Sequence, residues 1–287
     1  MSKRKILITG KGSYVGTNFI KWLEQWPDQY EVVELSVRGT EWKEHDFSIY
    51  DVVLHVAGIA HVSTDPSMEQ QYYKVNRDLA IEVAEKAKEE HVKQFIFMSS
   101  MIIYGADSKI GEDKIVTQDS LPTPIDFYGR SKLEADIEIE KLNNTIFKTV
   151  CVRTPMVYGP NCKGNFPRLK QLTKKSPIFP NIINQRSMIF INNLCEFLRI
   201  AVDKSLEGIF FPQNKDYVST SEIIRIMALE MDRKIVFTKI FNPFLKGLSY
   251  KINTINKIFG NKVYDRAISP SFEYCVVDFE ESIKISM

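Results

Sequence analysis

The chain has 287 residues, 44% of them hydrophobic and 26% charged, and a formal net charge of +2. That length suits one large α/β domain or a nucleotide-binding core with a smaller lobe, and the composition is that of a globular protein. The near-neutral balance argues against bulk nucleic-acid or polybasic membrane binding, but does not exclude a local cationic pocket for a phosphorylated ligand.

Lys5–Thr9 is a short apolar, β-branched run that ends in a glycine-rich turn, which predicts a buried parallel strand. Val15 to Trp26 has helical spacing and stops at Pro27. Glu31–Val37 and Asp51–Ala57 read as the second and third strands. Met68, Tyr72, Val75, Leu79 and Val83 recur at helical spacing, which predicts one long helix from Met68 to His91. Gln94–Met98 is a fourth strand, Asp126–Leu142 a helix and Thr149–Arg153 a fifth strand.

Strands alternating with helices predict an α/β fold, a Rossmann-like doubly wound parallel sheet with helices on both faces. Ligands of such sheets lie beyond the carboxyl ends of the strands. Three strands end there in candidate residues: Gly10–Gly16, Ala57–Gly58 and Ser99–Ser100. Beyond Pro160 the texture changes, with Pro160, Pro167, Pro177, Pro180 and Pro212 punctuating shorter elements. Residues 1–160 therefore read as a dinucleotide-binding domain and 161–287 as a smaller substrate lobe, with about 184–205 rejoining the first domain. Phe241 to Phe259 is apolar with interspersed lysines; core packing is the default reading and membrane-surface contact the alternative.

Cys151, Cys162, Cys195 and Cys275 form no CxxC pair, so a reduced, cytoplasmic setting is expected. The apolar run behind Met1 stops at Thr9–Gly10, too short for a signal-peptide core, and no stretch reaches the ~18 apolar residues of a membrane span. His45, His55, His61 and His91 show no metal-ligand spacing, and there is no G-x-S-x-G elbow for a serine hydrolase.

Thr9-Gly10-Lys11-Gly12-Ser13-Tyr14-Val15-Gly16 follows a strand and opens a helix. Glycines there let the backbone approach a pyrophosphate, and the helix N-terminus favours its charge. An ordinary strand-to-helix turn is the alternative. About 20 residues past the turn, where a carboxylate would bind the ribose of NAD, stands Ser36, with Arg38 just beyond. A serine tolerates a 2′-phosphate and an arginine fork can pair with it, which points to NADP(H). Glu34 or a backbone contact would instead serve NAD. Tyr128 and Lys132 are four apart, on one face of a helix. A phenol titrates near ~10, and a neighbouring ammonium lowers that value towards useful proton exchange. Ser100 at the end of the fourth strand is placed to orient the reacting oxygen, with Ser99 the structural hydroxyl beside it.

These motifs, in this order, resemble the extended short-chain dehydrogenase/reductase family and its nucleotide-sugar epimerase/dehydratase branch. That branch carries TGxxGxxG; Gly10 and Gly16 match, while Ser13 holds the middle glycine's place and Gly12 precedes it. The resemblance implies Ser100, Tyr128 and Lys132 as the catalytic set. It implies cofactor contacts from Gly10, Gly12, Ser13, Tyr14, Val15, Gly16, Ser36, Arg38, Ala57, Gly58, Asn76, Tyr128, Lys132 and Pro155. It also places the pair Asp46–Phe47 beside the adenine. Met101 and Ile102 stand where dehydratases carry acidic residues, which argues against water elimination.

Arg153-Thr-Pro-Met-Val-Tyr-Gly-Pro160 resembles the family's RPxxVYGP segment, with Met156 where epimerases often carry Asn. The resemblance puts Arg186 on the substrate diphosphate, a role suited to its fork. Ser100, Met101, Asn165 and Arg168 complete the implied substrate set. The stretch GNFPRLKQL…PNIINQRSMIFINNL is similar to C4 reductases of UDP-4-keto-6-deoxy-N-acetylhexosamines in capsule and O-antigen synthesis. An NADPH-dependent 4-reductase on a UDP-sugar is therefore expected. A UDP-hexose 4-epimerase holding NAD and a non-catalytic NAD(P) sensor are the alternatives. Relatives of this kind pair through helices corresponding to Met68–His91 and Asp126–Leu142, so a homodimer is expected. Asn192–Asn193 is expected to cap the following helix.

Overall fold

The structure, a computed structural model, describes residues 3–60 and 65–287; His61 lies outside the described residues. The chain divides into two units. The first comprises Met1–Gly105, Leu121–Thr154 and Leu194–Pro212; the second comprises Ala106–Ser120, Pro155–Asn193 and Gln213–Met287. Set beside an expected division at 160 with 184–205 rejoining, the boundary lies at Thr154. Residues 106–120 belong to the second unit, and the segment that returns to the first is Leu194–Pro212.

In chain order the first unit contains β1 (Arg4–Thr9), α1 (Tyr14–Leu23), β2 (Tyr30–Leu35), β3 (Val52–His55), α2 (Leu79–Glu89), β4 (Gln94–Ser100), α3 (Phe127–Lys141), β5 (Lys148–Thr154), α4 (Ile191–Asp203, from Leu194 onward) and β6 (Gly208–Phe210). The six strands pair in parallel in the order β2-β1-β3-β4-β5-β6. This is the expected doubly wound sheet, and its direction of build-up reverses between β1 and β3. A ligand crevice forms at such a reversal, because the two strand ends diverge into connections on opposite faces.

The strands are apolar on both faces because both are covered. On one face Leu7, Val53, Phe95, Phe97 and Cys151 pack with Val83, Ala84 and Ala87 of α2 and Ala135 and Ile139 of α3. On the other, Trp22 of α1 donates its indole N–H to Glu196 of α4 at 2.9 Å, and Arg199 lies 4.5 Å from the Trp26 ring.

The predicted helix Met68–His91 is not continuous. A 3₁₀ turn (Pro66–Met68), one α turn (Glu69–Tyr72) and a π-helical segment (Tyr73–Asp78) precede α2. The wide π turn coincides with Asn76, fully buried, whose amide grips Ile59 from both sides: Oδ1 accepts the Ile59 N–H at 2.8 Å and Nδ2 donates to its carbonyl at 3.0 Å. Single π turns of this kind are frequent at functional sites.

The second unit holds three short parallel ladders: Ile178–Pro180 with Val236–Thr238, Ile115–Val116 with Val263–Tyr264, and Met156–Tyr158 with Met188–Phe190. Asn193 does not cap a helix. It sits inside Ile191–Asp203, buried, and grips the backbone of Val277 at 2.9 and 3.0 Å. No described helix is long and apolar enough to cross a membrane.

One buried ion pair ties α3 to the sheet. Asp136 accepts from Arg153 Nε (3.1 Å) and Nη2 (2.9 Å) and from the Ser99 hydroxyl (2.5 Å), while Arg153 Nη1 donates to the Tyr104 phenol at 2.7 Å. Burial works against the Arg153 charge and the Asp136 carboxylate more than restores it, so the guanidinium stays protonated. Breaking one side of such a pair strands a buried charge, whereas replacing both sides does not. Asp136→Asn should therefore cost about 3–5 kcal/mol in denaturant unfolding, and adding Arg153→Met should recover much of the loss.

Candidate active site

The crevice between β1 and β3 begins at the glycine turn. Gly10 has φ +122°, and a Cβ there would lie 2.7 Å from the Ala57 nitrogen, so only glycine lets the two strand ends close up. Gly12 has φ +73° and open space where its side chain would be, a surface on which a pyrophosphate can approach the backbone. Ser13 caps α1 by accepting the Gly16 N–H at 3.1 Å, and the first turn of α1 carries no carboxylate. Ser13 thus does a capping task where the family's middle glycine would stand, and the turn fits a dinucleotide. Tyr14 and Val15 are the first residues of that helix, both half-buried.

Past β2, Leu35, Ser36, Arg38, Glu41, Trp42, Glu44 and His45 line an open cavity of about 540 Å³. Ser36 and Arg38 are exposed, and Arg38 makes no ion pair among the described residues. Glu34 instead turns back to the glycine loop, where its carboxylate accepts the Gly12 N–H at 3.1 Å. Asp46 is exposed and accepts from Ser48; Phe47 is fully buried, with its N–H on Glu90 at 2.5 Å.

At the end of β4, Ser100 accepts the Ile102 N–H at 3.2 Å, which leaves its own proton available to the nearby Tyr128 phenol. Tyr128 enters from the first turn of α3, capped by Asp126 on the Gly129 N–H at 2.8 Å. Gly129 is required beside it, since a Cβ would lie 2.9 Å from Pro124 and 3.2 Å from the Ile102 carbonyl. Burial pushes the Tyr128 phenol up to about 12, with the Ser100 hydrogen bond opposing and Tyr72 and Asp126 adding to the rise. The expectation of a phenol made acidic by its lysine is thus not met by the protein's own groups.

The reason is where Lys132 points. Its ammonium donates to the Met98 carbonyl at 2.9 Å and lies 4.6 Å from the Phe97 ring. A side chain on Gly58 would meet Asn76 Oδ1 at 3.1 Å and Lys132 Nζ at 3.4 Å, so Gly58, Asn76 and Lys132 converge. Asn76 also reaches Ser131 Oγ at 3.4 Å. Burial pulls Lys132 down to about 8, with Asp136 one turn along opposing.

His55, which sequence reasoning used only to argue against a metal site, ends β3 fully buried between Phe95 and Phe97. Its Nδ1 shares a hydrogen bond with Thr9 at 2.9 Å, its Nε2 has no partner, and burial and then Lys132 pull it down to about 3. A histidine at a strand end beside the glycine turn was the available signal. Met101 is buried in the 3₁₀ turn after Ser100.

The other predicted residues belong to the second unit. Pro155 is buried directly after β5. Asn165 and Arg168 are exposed in the first turn of the helix Asn165–Lys175. Arg186 is held by Asp107 at 3.2 Å and by the Gly260 carbonyl at 3.3 Å. Asp107 carries no sequence motif and was missed.

This fold and glycine turn are those of NAD(P)-dependent enzymes of the short-chain dehydrogenase/reductase type. The chain belongs to the NAD dependent epimerase/dehydratase family, which it matches over residues 6–210. It is 32% identical over 255 residues to a UDP-glucose 4-epimerase of Vibrio cholerae, covering 80% of this chain and 76% of that one. It is 24% identical to the N-acetyl-alpha-D-glucosaminyl-diphospho-ditrans,octacis-undecaprenol 4-epimerase of Escherichia coli O157:H7, over 90% of this chain and 81% of that one. The fold matches a UDP-glucuronic acid 4-epimerase of Bacillus cereus, solved with NAD, at TM-score 0.72 and 19% identity, over 98% and 97% of the two chains.

The depressed Lys132 value means that the fold prefers this amine neutral. Holding it charged at neutral pH costs about 3 kcal/mol at 1.36 kcal/mol per unit. Lys132→Met should therefore raise unfolding stability at pH 7, by about 1–3 kcal/mol once the lost hydrogen bond is counted. The wild type should close that gap as pH rises from about 8 to the unfolded value of 10.5 and show no change in it below 8. Thermal melts of both proteins across this range measure it.

Proposed function

We propose that the chain is an NADPH-dependent reductase acting at the C4 carbonyl of a UDP-linked 4-keto-6-deoxy-N-acetylhexosamine. The observation that carries the redox reading is the approach of Tyr128, from the first turn of α3, to Ser100 at the end of β4, close enough for the Ser100 hydroxyl to act on the phenol. In this reading Ser100 and Tyr128 share the reacting C4 oxygen. Tyr128, protonated at any physiological pH with its phenol near 12, gives its proton to the alkoxide as it forms. Donors aimed at such charge contribute on the order of ~3 kcal/mol each. Lys132 supplies positive charge beside Gly58 and Asn76, where a ribose hydroxyl pair would be held. The nicotinamide cofactor supplies the hydride.

The cofactor set runs from the glycine turn through Ser36 and Arg38, and the unpaired Arg38 supports NADP(H). Asn165, Arg168 and Arg186 serve the substrate diphosphate, Arg186 after exchanging Asp107 for phosphate. A homodimer through the helical stretches Met68–His91 and Asp126–Leu142 belongs to the same reading. The reductase assignment itself rests on the resemblance of the segment from Gly164 onward. The second reading, a 4-epimerase with the same residues, is favoured by the name of the Vibrio cholerae relative. The Escherichia coli relative is named for an undecaprenol-linked sugar, so a lipid diphosphate is the other carrier to assay.

Purified enzyme should consume NADPH absorbance with the UDP-4-keto sugar and not with UDP-galactose. Interconversion of UDP-glucose and UDP-galactose without added coenzyme would establish the epimerase instead. Tyr128→Phe should lose about 10²–10⁴-fold in kcat and retain cofactor binding; a nucleotide sensor would show no such loss. Arg38→Ala should raise the KM for NADPH about tenfold and leave that for NADH little changed, as expected for one charge-assisted contact.

A further inference from the structure

The segment from Arg233 to Tyr264 contains seven cations (Arg233, Lys234, Lys239, Lys246, Lys251, Lys257 and Lys262) and no aspartate or glutamate. The whole chain carries only +2, so the rest of it is net negative and this segment is a local excess of the opposite sign. The segment forms the short strand Val236–Thr238 and the helices Asn242–Ser249 and Asn253–Phe259 in the second unit. Its inner side is already satisfied: Leu245, Ile255 and Ile258 pack on the cluster of Phe179, Ile182, Ile224 and Phe259. Ile235 and Phe237 pack there too, so core packing accounts for most, but not all, of its apolar residues.

The others face outward. Ile240 is 82% exposed, Phe244 68% and Tyr250 56%, with Phe241 and Ile252 exposed beside them. Lys239, Lys246, Lys251 and Lys257 are exposed among them, and none pairs with a carboxylate among the described residues. Lys109 adds a further cation over the Tyr250 ring at 4.2 Å. Among the described residues the one carboxylate that touches this face is Glu112, 3.4 Å from the Tyr250 hydroxyl. Singly exposed apolar residues need no explanation, but large ones interleaved with unpaired lysines do. Apolar side chains that enter the boundary between headgroups and acyl chains, ringed by lysines that meet anionic headgroups, are the chemistry of an interfacial membrane contact. A soluble acidic partner would account for the lysines but leave Ile240 and Phe244 without a reason.

We propose that the face formed by Ile240, Phe241, Phe244, Tyr250 and Ile252 with Lys239, Lys246 and Lys251 docks on the surface of an anionic lipid bilayer. The contact is peripheral and reversible, and it is independent of whether the enzyme reduces or epimerises its sugar. The test is co-sedimentation of the full chain with phosphatidylcholine vesicles and with vesicles of phosphatidylcholine and phosphatidylglycerol. The protein should pellet with the anionic vesicles only, and less as salt is raised. Lys239→Gln/Lys246→Gln/Lys251→Gln should weaken that binding tenfold or more, and Ile240→Ser/Phe244→Ser by a similar factor. Thermal melts and turnover on the soluble UDP-sugar should be unchanged in both. Failure to pellet with either vesicle, equal pelleting with both, or variants that bind like wild type would overturn the proposal. So would a fall in oligomeric state of Ile240→Ser/Phe244→Ser, measured without vesicles by sedimentation velocity, since the face would then join two copies of the chain.

Discussion

The Asp136 carboxylate is the fixed point of the first unit. It has no exposure to water and takes three hydrogen bonds, two from Arg153 on β5 and one from Ser99 on β4. A carboxylate in that position can be satisfied at only one register of helix against sheet. The same contact therefore sets where the first turn of α3 ends up relative to the end of β4. Ser100 is the residue after Ser99, and Tyr128 lies two turns before Asp136 on α3. Their meeting follows from an ion pair that itself touches neither.

Around that anchor burial of the ionisable groups dominates their proton affinities, although Ser100 and Tyr128 are half-buried and Gly58 is exposed. Burial raises the Tyr128 phenol, lowers the Lys132 amine and keeps His55 neutral. Each shift has the sign expected when a charged form is deprived of water. The fold bears this cost because the same low polarity strengthens any interaction made with charge that develops during reaction. At Lys132 the fold carries a stability cost, since burial disfavours its charged form. The two units differ in this respect. Asn165, Arg168 and the lysines of the second unit's outward segment are exposed to solvent.

The elements of the first unit up to β5 were legible because its strands are apolar on both faces and its helices are amphipathic, so periodicity separates them; α4 and β6, beyond the second unit's insertion, were not resolved as elements. The two helices at Asp126–Leu142 and Val15–Trp26 and the five strands were found within a few residues of their ends. The helix from Met68 was read as one piece because a π turn keeps an almost helical apolar spacing. Only the inward turn of Asn76 towards Ile59 breaks it, and Ile59 is 17 residues away in sequence. The outward face near Phe244 could be read only as an alternative to core packing, for a related reason: apolar residues look alike in a sequence whether a core covers them or not.

What the sequence by itself determined is the class of fold and the place of the glycine turn, and it singled out Ser100, Tyr128 and Lys132 as candidates, because these depend on residue type and spacing along one strand or helix. The partners of those residues were decided by tertiary structure. Lys132 is bonded to Met98 across a helix–strand packing, Glu34 reaches Gly12 from the neighbouring strand, and Arg186 meets Asp107 within the second unit. Each is a contact between residues 22 to 79 positions apart, and no local pattern encodes which of several nearby polar groups a long side chain will choose once water has been removed from around it.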